Sequence, residues 1–295
     1  MRVDFHVHTE FSHDSKTKIP DILRYAKLRN LDAIAITDHN TLKGIQEARL
    51  IRQSNDVEII PGVEVSVPIS PYGLHLIGLF VEDYHPPRDL RDAIENIKKE
   101  SGIVILPHPF RTGTGLFYHL QKGFICEDDV KWVLNNIDYI EGLTHKSNNN
   151  GIKQTLDFVT TTQHFMVAGT DCHRPENVGL VWTEVDDIAK FRAGTALTKM
   201  SALVKPGWDM MFESLEYYLI DHKFPSESTE NPTTFNNVIN LVRNMLPQSK
   251  LRDILRNKYR EILTTQRRRF IEREVGSAKR IVIYREGKSL ILGEN

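Results

Sequence analysis

Short apolar, β-branched runs recur along the first two-thirds of this 295-residue chain, and most lead into ionisable residues. They are Val3–Phe5, Ala33–Ile36, Val57–Ile60, Leu74–Ile77, Ile103–Leu106 and Phe165–Ala168. Runs of this length read as buried strands. The stretches between them have helical spacing. Ile19–Arg29 carries Ile22, Leu23, Ala26 and Leu28 at near-helical spacing, with Pro20 and Asp21 suited to a first turn. Leu42–Arg52, Leu90–Lys99 and Asp128–Asn135 follow the same pattern. Repeated strand–helix units predict an α/β fold, a parallel sheet with helices outside, either open or closed into a barrel. Side chains from many strand ends converge more easily in a barrel, whose strand C-termini ring one mouth.

The repeat fades near Lys199. Thr183–Arg192 is expected to be a last helix, and Pro206–Gly207 a boundary. Helical patterns follow over Trp208–Asp221 and Thr233–Arg273, interrupted by the turn-rich Phe224–Pro232. Arg280–Gly293 reads as a β-hairpin around Glu286–Gly287. The expected division is a main strand–helix domain over 1–200. A mostly helical region ending in a hairpin, 201–295, would shape specificity or oligomerisation.

The chain is 40% hydrophobic and 26% charged, with a formal net charge of −1, so no global attraction toward nucleic acid is implied. Two cysteines fit a reducing compartment. The start, MRVDFHVH, carries no apolar signal region, and no stretch approaches the length of a membrane span. A soluble, cytoplasmic protein without a membrane partner is expected.

The chemistry lies at the ends of these strands. The segments are His6-Val7-His8, Thr37-Asp38-His39, Gly62-Val63-Glu64, His75, Pro107-His108-Pro109 and Gly169-Thr170-Asp171-Cys172-His173. Six of the twelve histidines lie here with carboxylates among them, the common nitrogen and oxygen ligands of divalent metals. Strand alternation points His6 and His8 together, with Phe5 and Val7 opposite. It likewise pairs Asp171 with His173 and turns Cys172 away.

This order of motifs resembles the polymerase and histidinol phosphatase superfamily, or PHP domain, over about Met1–Thr198. The resemblance implies a distorted (β/α)7 barrel holding two or three divalent metals and hydrolysing phosphoesters. By position, a first metal would take His6, His8, Glu64 and Asp171. A second would take the bridging Glu64 with His75 and His108, and a third Asp14, His39 and His173. The segment Phe11-Ser12-His13-Asp14 departs from the family's usual Ser-Asp-Gly, so His13 competes with Asp14. Mixed imidazole and carboxylate ligands suit Zn, Mn or Fe. Clustered cations would make hydroxide available near neutral pH and neutralise phosphoryl oxygens.

Three cations could hold the substrate phosphate: Arg111 after the Pro-His-Pro segment, Arg174 after His173, and Lys146 in the loop beyond Tyr139–Leu143. Only 32 residues separate His75 from His108, too few for the inserted cap of some family members. Lys250–Arg280 holds eleven Lys/Arg against four Asp/Glu, including Arg267-Arg268-Arg269. The leading expectation is a phosphomonoesterase for a small metabolite or nucleotide. The alternatives are a nuclease on single strands guided by that basic run, and a catalytically silent module.

Overall fold

The computed structural model describes residues 1–52, 57–146, 149–162, 164–194, 196, 198–203, 281–286 and 289–294. In chain order its elements are β1 (Arg2–Val7), α1 (Ile19–Leu28), β2 (Ala33–Ile36), α2 (Lys43–Ile51), β3 (Glu58–Val67) and β4 (Leu74–Leu79). Then come α3 (Leu90–Lys99), β5 (Ile103–Leu106), α4 (Leu116–Gln121), α5 (Glu127–Asn136), β6 (Tyr139–Thr144), α6 (Asn149–Thr160) and β7 (Phe165–Gly169). β8 (Val181–Val185), α7 (Ile188–Arg192), β9 (Thr198–Ala202), β10 (Ile281–Glu286) and β11 (Ser289–Glu294) complete them.

Local chemistry explains the helices. In α3 the Asp89 carboxylate accepts from the Asp92 N–H at 2.9 Å, and Leu90, Ala93, Ile94 and Ile97 bury one stripe. Lys98 and Lys99 suit the negative C-terminal end, and Ser101 turns the chain out at φ 57°. α4 and α6 are not foreshadowed by the apolar pattern. α4 is a short helix behind a glycine, and α6 begins with Asn149-Asn150-Gly151, poor helix formers.

β1 to β7 are ordered side by side and close on themselves. The Asp171 N–H donates to His6 O at 2.7 Å, and the His8 N–H to Cys172 O at 3.1 Å, so the end of β1 meets the chain leaving β7. This is a distorted seven-stranded barrel. The sheet is mixed rather than parallel: β4 runs antiparallel to β3 and β5. Only residues 68–73 join β3 to β4, and a parallel connection would need a crossover of a dozen or more residues.

Phe5, Ala35, Ile60, Ile105, Tyr139 and Val167 fill the barrel together. Phe191 of α7 closes that cluster, stacking on Phe5 at 4.5 Å and on Tyr139 at 4.3 Å. Fully burying one such side chain contributes about 1.5–3 kcal/mol. Ile34 and Ile36 face outward onto Ile22 and Ala26 of α1 and Ile45 of α2.

Two expectations are corrected. Thr183–Arg192 is not one helix: Thr183–Val185 belong to β8, and α7 starts only after Asp187, whose carboxylate accepts from the Ala189 and Lys190 N–H groups. The strand wins because the Thr183 hydroxyl bonds the Ala168 backbone, accepting from its N–H at 2.7 Å. Nor do Phe5 and Val7 share a side, for Phe5 packs inside the barrel and Val7 outside with Ile34 and Ile36. The register between β1 and β2 shifts between Asp4 and Val7. Such a bulge re-aims side chains.

The chain divides into two compact units, Met1–Pro206 with Ala278–Asn295, and Gly207–Ser277. The line expected at residue 200 falls inside β9. The hairpin does not end a separate helical region: β10 pairs with β9, Ile283 opposite Met200, extending the sheet from β8. The patterns over Trp208–Asp221 and Thr233–Arg273, and the basic residues Arg267, Arg268 and Arg269, lie outside the described residues. No helix among the described residues is long and apolar enough to cross a membrane.

Candidate metal centre

The strand ends deliver their side chains to one mouth. His6 Nε2 stands 3.0 Å from His8 Nε2, 3.2 Å from Glu64 Oε2 and 3.5 Å from Asp171 Oδ1. His8 Nε2 lies 3.1 Å from Glu64 Oε2 and 3.2 Å from Asp171 Oδ1. Four donors around one tetrahedral ion, each about 2.0–2.2 Å from it, would stand about 3.4 Å apart. The donor set therefore fits a metal in both chemistry and spacing.

Glu64 faces two ways. Its Oε2 takes part in that group, while its Oε1 lies 2.7 Å from His75 Nδ1 and 3.1 Å from His108 Nε2. His39 spans the next gap, Nδ1 3.3 Å from Glu64 Oε2 and Nε2 3.5 Å from Asp14 Oδ2. Asp14 Oδ2 also meets His173 Nε2 at 2.9 Å. All nine side chains expected as ligands thus come together. Exposed His13, the competitor of Asp14, lies beside His39 with ring centroids 5.1 Å apart.

The electrostatics favour positive charge here. Burial alone would raise the Glu64 carboxyl, but His75, His6 and His39 hold it well below the carboxylate range. Burial opposes protonation of His6, yet Asp171, Glu64 and Glu141 raise it well above the imidazole range. His108 is pushed down to about 3 by burial and then by Arg111, and His173 to about 4 by burial and then by His8. Both are neutral, the form that ligates.

The backbone is bent to serve the mouth. Asp171 and His108 adopt left-handed φ of 51° and 28°, the kind of outlier that clusters at working sites. Gly169 allows β7 to approach β1, for a Cβ there would lie 2.4 Å from His6 Cβ.

A layer behind the ligands was not assigned from sequence. Glu141, buried on β6, sets its Oε1 3.0 Å from His6 Nδ1, and its Oε2 accepts from the His108 N–H at 2.9 Å. His8 Nδ1 lies 2.9 Å from Ser12 Oγ, whose hydroxyl donates to Asp38 Oδ1 at 2.8 Å. Such partners fix tautomer and ring orientation, leaving Nε2 for a metal. Asp4 accepts from Thr170 N–H at 2.8 Å, Thr170 Oγ1 at 2.6 Å and Gly179 N–H at 3.0 Å, tying β1 to the segment after β7. The available signal was a carboxylate inside an apolar run, as in Val3-Asp4-Phe5 and Ile140-Glu141-Gly142.

The three cations take different places. The Arg111 guanidinium, 25% exposed, pairs with Asp171 Oδ2. Lys146 Nζ lies 2.8 Å from His173 Nδ1. Arg174 is half-buried at the head of the 3-10 turn Pro175–Asn177. Cys172 packs beside Val7 outside the barrel, its thiol pushed up by burial.

A barrel that gathers imidazoles and carboxylates at one mouth defines a metal-dependent hydrolase scaffold. The chain belongs to the PHP domain family, which it matches over residues 4–276, and is a PHP-family phosphoesterase. It is 35% identical over 121 residues to an uncharacterized protein of Methanocaldococcus jannaschii, covering 37% of this chain and 68% of that one. It is 31% identical over 85 residues to a 5'-3' exoribonuclease of Haemophilus influenzae, covering 29% of this chain but only 31% of the relative. It is 29% identical over 223 residues to a 3',5'-nucleoside bisphosphate phosphatase of Chromobacterium violaceum, covering 74% and 72%. Among solved structures, an amidohydrolase from Chromobacterium violaceum with bound sulfate aligns with a TM-score of 0.50 at 16% identity, covering 67% of this chain and 98% of that one. That likeness concerns the fold.

Proposed function

We propose that this chain hydrolyses a phosphomonoester, a small phosphorylated metabolite or nucleotide, at a centre of two or three divalent metals. The observation that carries the reading is Glu64, which presents one oxygen to His6 and His8 and the other to His75 and His108. His6, His8, Glu64 and Asp171 would hold a first ion, Glu64, His75 and His108 a second, and Asp14, His39 and His173 a third. Ions so held supply Lewis-acid activation of water and neutralise phosphoryl charge.

The chain's own residues do the rest. Arg111 and Lys146 already face Asp171 and His173, so a phosphate arriving at the ligands meets both cations. Arg174 supports the same role by following His173 directly. Glu141 holds His6 in one tautomer and pins the His108 backbone. Similarity across most of both chains to a bisphosphate phosphatase supports the phosphatase reading. The exoribonuclease likeness favours a nuclease, but over less than a third of either protein. Zn, Mn or Fe suits the donor set, and a cytoplasmic setting suits the free cysteines Cys126 and Cys172.

The test is a panel of phosphomonoesters against single-stranded DNA and RNA, assayed with Mn, Zn and Fe across a salt series. Phosphomonoester hydrolysis with weak salt dependence is expected. Efficient strand degradation that falls steeply with salt would instead establish a nuclease. Full metal occupancy with no turnover of anything would mark a silent module.

A further inference from the structure

Beside the metal ligands, two loops are locked into one unit by contacts that the hydrolytic reading leaves unused. The turn between β3 and β4, residues 68–73, rises past Glu64, because β3 continues to Val67. The second loop, residues 109–115, carries Arg111. Buried His119 of α4 joins them: its Nε2 lies 2.8 Å from Ser70 Oγ, and its Nδ1 lies 2.8 Å from Gly115 O. A histidine facing a carbonyl with one nitrogen donates from that nitrogen, so the other accepts from the serine hydroxyl. The His75 N–H donates to Thr114 O at 3.0 Å, a second tie. The turn itself is closed by the Tyr72 N–H donating to Ser70 Oγ at 3.3 Å.

The group this unit displays is Tyr72. Its side chain is 65% exposed, yet its Cγ lies 3.7 Å from where a Cβ on Gly113 would stand, so the ring rests against the loop that carries Arg111. Gly113 has φ +91°, a conformation open to glycine. Among the described residues, Phe11 and Tyr72 are the exposed large apolar side chains within three residues of an expected ligand. Leu28, Leu50 and Ile51 are exposed on the outer helices α1 and α2. From Tyr72 to His75 the chain spans at most about 10 Å. An exposed aromatic face at that distance from a phosphate site suits a planar group joined to the phosphate through a sugar.

We infer that the Tyr72 face stacks the base of a nucleotide whose phosphate lies at the metal ligands, so the substrate is a nucleoside phosphate rather than a bare sugar phosphate. This rests on the phosphomonoesterase reading and sharpens it. Stacking on an aromatic ring is sequence-tolerant, so the site accepts purines and pyrimidines alike.

Calorimetric binding of the non-hydrolysable phosphonate analogues of adenosine 5'-monophosphate and of ribose 5-phosphate to the metal-loaded full chain, with hydrolysis of the parent esters assayed separately, separates the two claims, since the binding needs no turnover. Wild type binds the nucleotide more tightly. Tyr72→Ala weakens nucleotide binding roughly 5- to 100-fold and leaves ribose phosphate unchanged. Tyr72→Phe, which keeps the ring, behaves as wild type. Equal wild-type affinity for the two ligands, binding of neither, or equal losses for both in Tyr72→Ala overturns the inference. Base-dependent binding without hydrolysis sinks the phosphomonoesterase reading and leaves this one standing.

Discussion

His6, His8, Glu64 and Asp171 are almost wholly buried, whereas Asp14, which faces His39 and His173, leaves 42% of its side chain in solvent. The two regions also differ in what stands behind them. His6 is backed by Glu141 and His8 by Ser12 and Asp38, so the rings cannot turn. Asp14 sits on the loop between β1 and α1, and His173 has Lys146 at 2.8 Å on its far nitrogen. An inner group held in place before any ion arrives binds tightly. An outer group that must be gathered binds less well, because ordering side chains costs conformational freedom. The expected order of metal affinity is therefore inner before outer.

Breaking the inner group has the largest effect. Glu64→Ala removes the oxygen pair that would serve both inner ions. Turnover should fall by more than the roughly 10- to 100-fold typical of losing an outer partner. Steady-state kinetics at saturating metal checks this, and wild-type turnover would remove Glu64 from the bridging position.

Glu141→Ala comes next. It frees the His6 ring and the His108 backbone while leaving every ligand in place. Apparent metal affinity should weaken roughly 10- to 100-fold, with turnover partly restored at high metal concentration. Competition with a chelating dye reads the affinity, and an unchanged value would make Glu141 a bystander.

Arg111→Ala should lower kcat/KM roughly 10- to 100-fold, the loss of one charge-assisted contact of about 1.5–3 kcal/mol, with metal content unchanged. Because Arg111 pairs with Asp171, loss of metal in this variant would place it in the support of the inner group instead.

The outer group sharpens the contrast. Asp14→Ala should release one ion and leave the inner two, with the smallest fall in activity of these variants. His13→Ala should change neither. If His13→Ala releases the ion and Asp14→Ala does not, the third site takes the histidine.

The inner group was legible in the chain because its residues lie within or just after short apolar strand runs, and strand period two sets neighbours such as His6 and His8 side by side. α1, α2, α3 and α5 were legible through a different period, apolar residues at helical spacing. Residues whose roles depend on distant contacts were hidden. Glu141 reads as one polar residue in an apolar strand until His6, far away in sequence, is brought against it. Thr183 reads as helical until the Ala168 backbone claims its hydroxyl. The bulge between Asp4 and Val7 left no mark in composition, yet it puts both Phe5 and His6 to use at the barrel axis. The antiparallel β4 follows from the short connection after Val67, a length that the strand–helix repeat around it masks.

The central claim is that Glu64 joins two ions within one cluster. Elemental analysis of purified, reconstituted wild type and Glu64→Ala tests it most directly. Two or three transition-metal ions per chain in wild type, with the two Glu64-bridged ions lost in Glu64→Ala, is the expected result. Less than one ion per wild-type chain, or full occupancy in Glu64→Ala, would contradict it.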